Sequence, residues 1–325
     1  MIKPWIQSAR LRTLPLAIAG ILLGSAISKL HGHSNWQIST LALITAILLQ
    51  ILSNFANDYG DFKKGTDSLA GRTDRMLTTG SISENAMKSA LFILSGIVFL
   101  CGLYMIYLSF HYKLINQTNI YFFIGLGILS IISAITYTIG RKAYAYLGLG
   151  DIFVFVFFGL APVLGISKLL GCDLNLNFGL AAIGMGLLSM AVLNTNNYRD
   201  IESDKLSNKI TIAVRLGIKW TLFYHRILLI LGFSTIFFSM LNYLNEIFKL
   251  SETNTSLEMF MDFGIFSPAA ILLSSHFTDL RRLEPGDREK INPQLKKLSL
   301  TILFLIMIYS SFVWYLLNIV GMPKN

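Results

Sequence analysis

Two polar runs carry residue types that can do chemistry. The first is Asn54-Phe-Ala-Asn57-Asp58-Tyr-Gly-Asp61, continuing to Asp67, and the second is Asn196-Asn197-Tyr-Arg199-Asp200-Ile-Glu-Ser-Asp204. Each follows a long apolar segment, where an unpaired charge costs about 2.5 to 3.5 kcal/mol on the mildest insertion scales. Something must therefore neutralise them. Residues three and four apart share a helix face, so Asn54, Asp58 and Asp61 form one polar stripe, and Asn196, Asp200 and Asp204 form another. Carboxylate and amide oxygens are hard ligands that suit Mg²⁺, which bridges one or two carboxylates to substrate phosphates while keeping several waters. Two opposed acidic stripes can hold a diphosphate between metal ions. Lys63, Lys64, Arg72 and Arg75 after the first run, and Arg199, Lys205 and Lys209 around the second, can complete the charge balance.

The elements that position these stripes are membrane-spanning. The 325-residue chain is 54% hydrophobic and 14% charged, with a mean hydropathy of +0.59, whereas soluble chains carry roughly 25% charged residues. Apolar runs fall near 14–30, 39–56, 86–109, 119–139, 147–169, 177–195, 218–241, 260–278 and 298–320. This predicts an all-α polytopic fold of about nine transmembrane helices, in one domain over 1–325, around a central cavity open to the cytoplasmic side. The first run lacks a small-residue cleavage signal and reads as a spanning helix. Polar residues from Asn242 to Glu258 predict an external loop with room for a short surface helix, and Ser81-Ile-Ser83-Glu84 a capping box.

Orientation follows from charge. The N-terminus and even-numbered loops hold 22 of the 27 Lys and Arg residues, which puts the N-terminus and both polar runs on the cytoplasmic side of a bacterial inner membrane. The net charge of +9 is scattered over short loops and builds no nucleic-acid-binding stripe. Cys101 and Cys172 have no CxxC spacing, and His31 and His33 lie opposite the acidic runs, so none is assigned a metal. No obligatory protein partner is expected.

Asn57-Asp58-x-x-Asp61, Arg75-Met-Leu-Thr-Thr-Gly80-Ser-Ile-Ser83, and Asp200-x-x-x-Asp204 before Thr211-Ile-Ala-Val-Arg215-Leu-Gly217 resemble the UbiA superfamily of intramembrane aromatic prenyltransferases. Three further stretches resemble its 1,4-dihydroxy-2-naphthoate polyprenyltransferase branch of menaquinone biosynthesis: Trp5 to Pro15 with Arg10 and Arg12, Ala56 to Asp67, and Tyr137-Thr138-x-Gly140 with Gly148 to Gly159. Leu11, Met76, Arg141-Lys142 and Asn208 depart from the usual pattern of proline, proline, glycine-proline and glycine.

The resemblance implies transfer of a polyprenyl group from polyprenyl diphosphate to 1,4-dihydroxy-2-naphthoate with loss of CO₂. It implies Asp58, Asp61, Asp200 and Asp204 as catalytic carboxylates that, with Asp67, hold Mg²⁺. Asn54, Asn57, Lys63, Arg72, Arg75, Tyr137, Asn196, Asn197, Arg199, Lys209 and Asp151 are the implied substrate contacts. Arg10 and Arg12 read as positive-inside residues or as contacts to the aromatic carboxylate. Phe153 to Phe158 read as tail-tunnel lining or as lipid-facing aromatics. Another aromatic acceptor, such as 4-hydroxybenzoate, and a cation-coupled transporter are the competing readings.

Overall fold

The computed structural model describes residues 2–66, 75–140, 143–251 and 255–319. Asp67 and Arg72, two of the predicted site residues, and the Arg141-Lys142 turn lie outside the described residues. Every regular element among the described residues is helical: α1 (Ile2–Ala9), α2 (Leu14–Leu30), α3 (Trp36–Lys63), α4 (Glu84–His111) and α5 (Gln117–Thr136) come first. They are followed by α6 (Gly150–Leu169), α7 (Leu176–Arg199), the short α8 (Ile201–Leu206), α9 (Ile212–Ser251), α10 (Thr255–Leu280) and α11 (Arg288–Ile319).

Each predicted span overlaps a helix, and eight helices among the described residues are long and apolar enough to cross a membrane. The predicted eighth span, 260–278, lies on α10. The external loop predicted from Asn242 is helix as far as Ser251, because Asn, Glu and Lys make a helix polar without breaking it.

Helix starts are set by local side-chain acceptors. Asn35, Asn116 and Asn175 cap α3, α5 and α7 by accepting from backbone N–H groups of the first turn. The cap of α4 is Ser83, which accepts from the Ala86 N–H. This corrects the predicted box, since Glu84 points away to Lys63 and Lys88 at 2.7 and 2.8 Å.

The main core joins α2, α7, α9, α10 and α11 through Leu23, Phe178, Ile236, Phe266 and Tyr309. A smaller one joins α1, α3 and α4 through Ala9, Phe55 and Met87. Between lipid tails that are as apolar as the side chains, helix association depends on close packing of small residues. Gly159 of α6 meets Gly186 of α7 so tightly that a Cβ at 159 would run into the Gly186 backbone. Gly159→Val should therefore lower the melting temperature of the detergent-solubilised protein by several degrees, since overpacking costs about 1–3 kcal/mol. An unchanged melting curve would refute the contact.

Gly159 lies in a wide π turn, Val156–Leu160, inside α6; such turns recur at functional sites. Phe153, Val154, Phe157 and Phe158 here line a cavity, while Ile152 is exposed at 60% and Phe155 packs on Gly186. Of the aromatic run, Phe153, Phe157 and Phe158 thus line the cavity, and Phe155 packs against α7.

Candidate active site

The first acidic run forms the last turns of α3. Asp58 is buried, and both Arg10 and Arg75 pair with its Oδ1. Arg10 reaches it from a left-handed backbone conformation (φ 49°) at the join between α1 and α2. A proline at position 11 would push residue 10 out of the α region, so Leu11, in place of the usual proline, allows this bend. Asn54 anchors the same join, donating to the Ala9 carbonyl at 2.9 Å and to Thr13 Oγ1 at 3.2 Å.

Asp61, one turn on, accepts from the Tyr146 hydroxyl at 3.0 Å, and Arg75 Nη2 lies 3.8 Å away. Gly60 sits against Thr138, where no side chain would fit, and the Thr138 hydroxyl donates to the Ala56 carbonyl at 2.9 Å. That contact brings the α5 end, with Tyr137, onto the acidic stripe.

The second run spans the end of α7 and all of α8. Asp200 is clasped by Arg199, with Nε at 3.0 Å from Oδ1 and Nη2 at 2.6 Å from Oδ2. Arg288 adds a second guanidinium at 3.2 Å. Asp204 pairs with Lys209 at 3.4 Å. Between them the chain turns at Asn208, whose left-handed φ of 54° explains why asparagine can stand in for the usual glycine there. Burial pulls the Lys209 ammonium toward its neutral form, but Asp204, Asp61 and Asp200 outweigh it and lift its pKa above the ordinary value. One ammonium therefore lies among carboxylates of both runs.

A cavity of about 340 Å³ opens at this point. Asn54, Asn57, Asp61, Arg75, Tyr137, Asn196, Asp200, Asp204 and Lys209 line its polar end, and Ile21, Ala42, Phe123, Ile166 and Leu169 its apolar depth. Several predicted contacts lie elsewhere. Lys63 is half-exposed and held by Glu84. Asp151 is buried but accepts from Tyr224 of α9 at 3.0 Å, away from the cavity. Asn197 and Arg199 are buried behind the wall, where Arg199 braces Asp200, and Asp58 is covered by its two arginines.

Arg10, read from the sequence as a topological charge or a substrate contact, lines the cavity. Tyr146 was missed altogether. Its hydroxyl meets Asp61 and Thr66 (2.8 Å), and the ammonium of Lys64 sits 3.6 Å from its ring centroid. Burial lowers the Lys64 pKa, with Asp61 opposing, while burial and Asp61 together raise that of the Tyr146 phenol. Removing this hydroxyl in Tyr146→Phe should lower kcat/KM about tenfold or more, the worth of a hydrogen bond to a charged group. Steady-state kinetics would check this, and a drop under twofold would count against it.

Among the described residues no three acidic, His or Cys groups sit close enough to hold a metal alone. Mg²⁺ needs only one or two carboxylates when substrate phosphates supply further oxygens. Asp61, Asp200 and Asp204, whose hard oxygens line the same cavity, meet that requirement.

Residues 16–251 match the UbiA prenyltransferase family. The chain belongs to that family. Both acidic runs fall inside the matched segment, and α11 falls outside it. A 1,4-dihydroxy-2-naphthoate octaprenyltransferase from Haemophilus influenzae is 46% identical over 231 residues, covering 70% of this chain and 74% of the relative. One from Escherichia coli is 45% identical over 232 residues, covering 70% and 73%, and one from Mycobacterium tuberculosis is 39% identical over 223, covering 66% and 70%.

The fold is shared with a solved UbiA homolog from Archaeoglobus fulgidus bound to DMAPP and Mg²⁺, at a TM-score of 0.57 and 16% identity, covering 93% of this chain and 98% of that one. A structure of digeranylgeranylglyceryl phosphate synthase gives a TM-score of 0.58 at 17% identity, with 96% and 98% covered. Membership in this prenyltransferase family, with the acids gathered at one end of the bundle, removes the basis for the transporter reading.

Proposed function

We propose that this UbiA-family protein transfers a polyprenyl group from polyprenyl diphosphate to 1,4-dihydroxy-2-naphthoate, with decarboxylation, in menaquinone biosynthesis. The observation that carries the chemistry is one cavity with acids and bases of both runs at its mouth and apolar walls below. The acceptor follows from the names of relatives at 45–46% identity.

Asp61, Asp200 and Asp204 would hold Mg²⁺, which, when bound together with the diphosphate, supplies positive charge to the leaving group. Lys209, Arg75 and Arg10 bring cationic donors to the same end and stabilise the charge that develops as the C1–O bond breaks and its electron pair passes to diphosphate. The apolar walls, including Phe153, Phe157 and Phe158, exclude water from the allylic cation. The electron-rich ring then attacks C1 through the carbon bearing the carboxylate, and loss of CO₂ returns the bonding pair to the ring. The excess of Lys and Arg on the N-terminal side supports a cytoplasmic mouth in a bacterial inner membrane.

The test is to incubate membranes containing the chain with a labelled polyprenyl diphosphate, Mg²⁺ and either acceptor. Prenylated product is expected from 1,4-dihydroxy-2-naphthoate and to disappear when the metal is chelated. Product from 4-hydroxybenzoate alone would overturn the assignment.

A further inference from the structure

The loop between the last two helices and the first turns of α11 lie outside the family-matched segment, yet they grip the second acidic run. The Gly286 N–H donates to the Arg199 carbonyl at 2.9 Å, and the Tyr198 hydroxyl donates to the Leu283 carbonyl at 2.7 Å. Side chains repeat the pattern. Arg199 Nη1 donates to Asn292 Oδ1 at 2.6 Å, while its Nη2 reaches Asn196 at 2.7 Å and Asp200 at 2.6 Å. Arg288 Nη2 sits 3.2 Å from Asp200 Oδ1 and 3.4 Å from the Ser203 hydroxyl. Leu295, one turn beyond Asn292, lines the cavity itself.

The planar guanidinium of Arg199 has five N–H donors in a fixed fork, and its contacts lie on different elements. Asn196 and Asp200 come from the same run, and among the described residues Asn292 fixes the guanidinium from outside it. A carboxylate held by two guanidiniums has its rotation restricted, and the groups supporting a metal-binding carboxylate commonly matter about 10–100-fold in metal affinity. Asp200 is 2% exposed, so its setting is decided by these protein contacts.

We propose that Arg288 and Asn292 are positioning residues for the diphosphate-metal site, Arg288 orienting the Asp200 carboxylate directly and Asn292 through Arg199. The last helix thereby completes a site whose acids all come from earlier helices. The inference rests on the reading of the cavity as a site for Mg²⁺ and diphosphate.

The test uses the full chain purified in detergent and titrates inorganic diphosphate into it calorimetrically, with and without Mg²⁺, alongside thermal melting and steady-state kinetics. Arg288→Ala and Asn292→Ala should each weaken Mg²⁺-dependent diphosphate binding about tenfold or more while KM for the aromatic acceptor stays within twofold. Arg288→Lys should restore part of the binding. Affinity within twofold of the unsubstituted protein for both alanine variants would overturn the proposal, as would a lowered melting temperature with affinity kept. Where Arg288→Ala does not accumulate folded, Arg288→Lys and Asn292→Ala decide by the same criterion. Failure of the unsubstituted protein to bind diphosphate with Mg²⁺ would overturn the underlying reading and this inference with it.

Discussion

Asp61→Asn should leave the protein folded and lower prenyl transfer by about 100-fold to 1,000-fold, the scale on which loss of one preorganised electrostatic group is felt. The substitution keeps shape and an acceptor. The amide oxygen can still take the Tyr146 hydroxyl at 3.0 Å, and Arg75, 3.8 Å away, keeps its pairing with Asp58. What disappears is one of three negative charges surrounding Lys209 on the cavity wall. With fewer anionic oxygens for the metal, half-saturation should move to higher Mg²⁺, so part of the lost rate should return as the metal is raised. Initial rates over an Mg²⁺ series, with melting curves as a control, check both expectations. Turnover within threefold of the unsubstituted protein would remove Asp61 from the reaction.

How far such roles can be read without coordinates depends on what each residue does. The stripes Asn54–Asp58–Asp61 and Asn196–Asp200–Asp204 were legible because helical periodicity and the cost of charge in an apolar setting are local properties of the sequence. The spans were legible for the same reason. Partner choice was not legible. Nothing in the spacing says that Asp151 would be absorbed by Tyr224, 73 residues away, or Lys63 by Glu84. Tyr146 had no signal of its own, because a tyrosine in a short loop also reads as an interface anchor. Arg10 carried two signals, and its left-handed backbone, a strained state that persists only where surrounding structure enforces it, is visible only in the fold.

Asp58 shares a stripe with Asp61 but has different surroundings. Its carboxylate sits off the cavity wall, between Arg10 from the N-terminal join and Arg75 from beyond α3. Removing one partner of a buried ion pair leaves an uncompensated charge and costs about 3–5 kcal/mol, so Asp58→Ala should lower the melting temperature strongly, in contrast to Asp61→Asn. It should also abolish transfer, because Arg10 and Arg75 both line the cavity and would lose the anchor that holds them there. Charge removal on both sides separates the two effects. Asp58→Asn combined with Arg10→Gln should cost less stability than the sum of the single changes, as contacting partners are coupled by about 0.5–3 kcal/mol, yet remain inactive. Additive losses in melting free energy would show that the pair does not act as a unit. Recovered turnover in the double variant would show instead that Arg10 takes no part in holding diphosphate, and that Asp58 serves Arg75 alone.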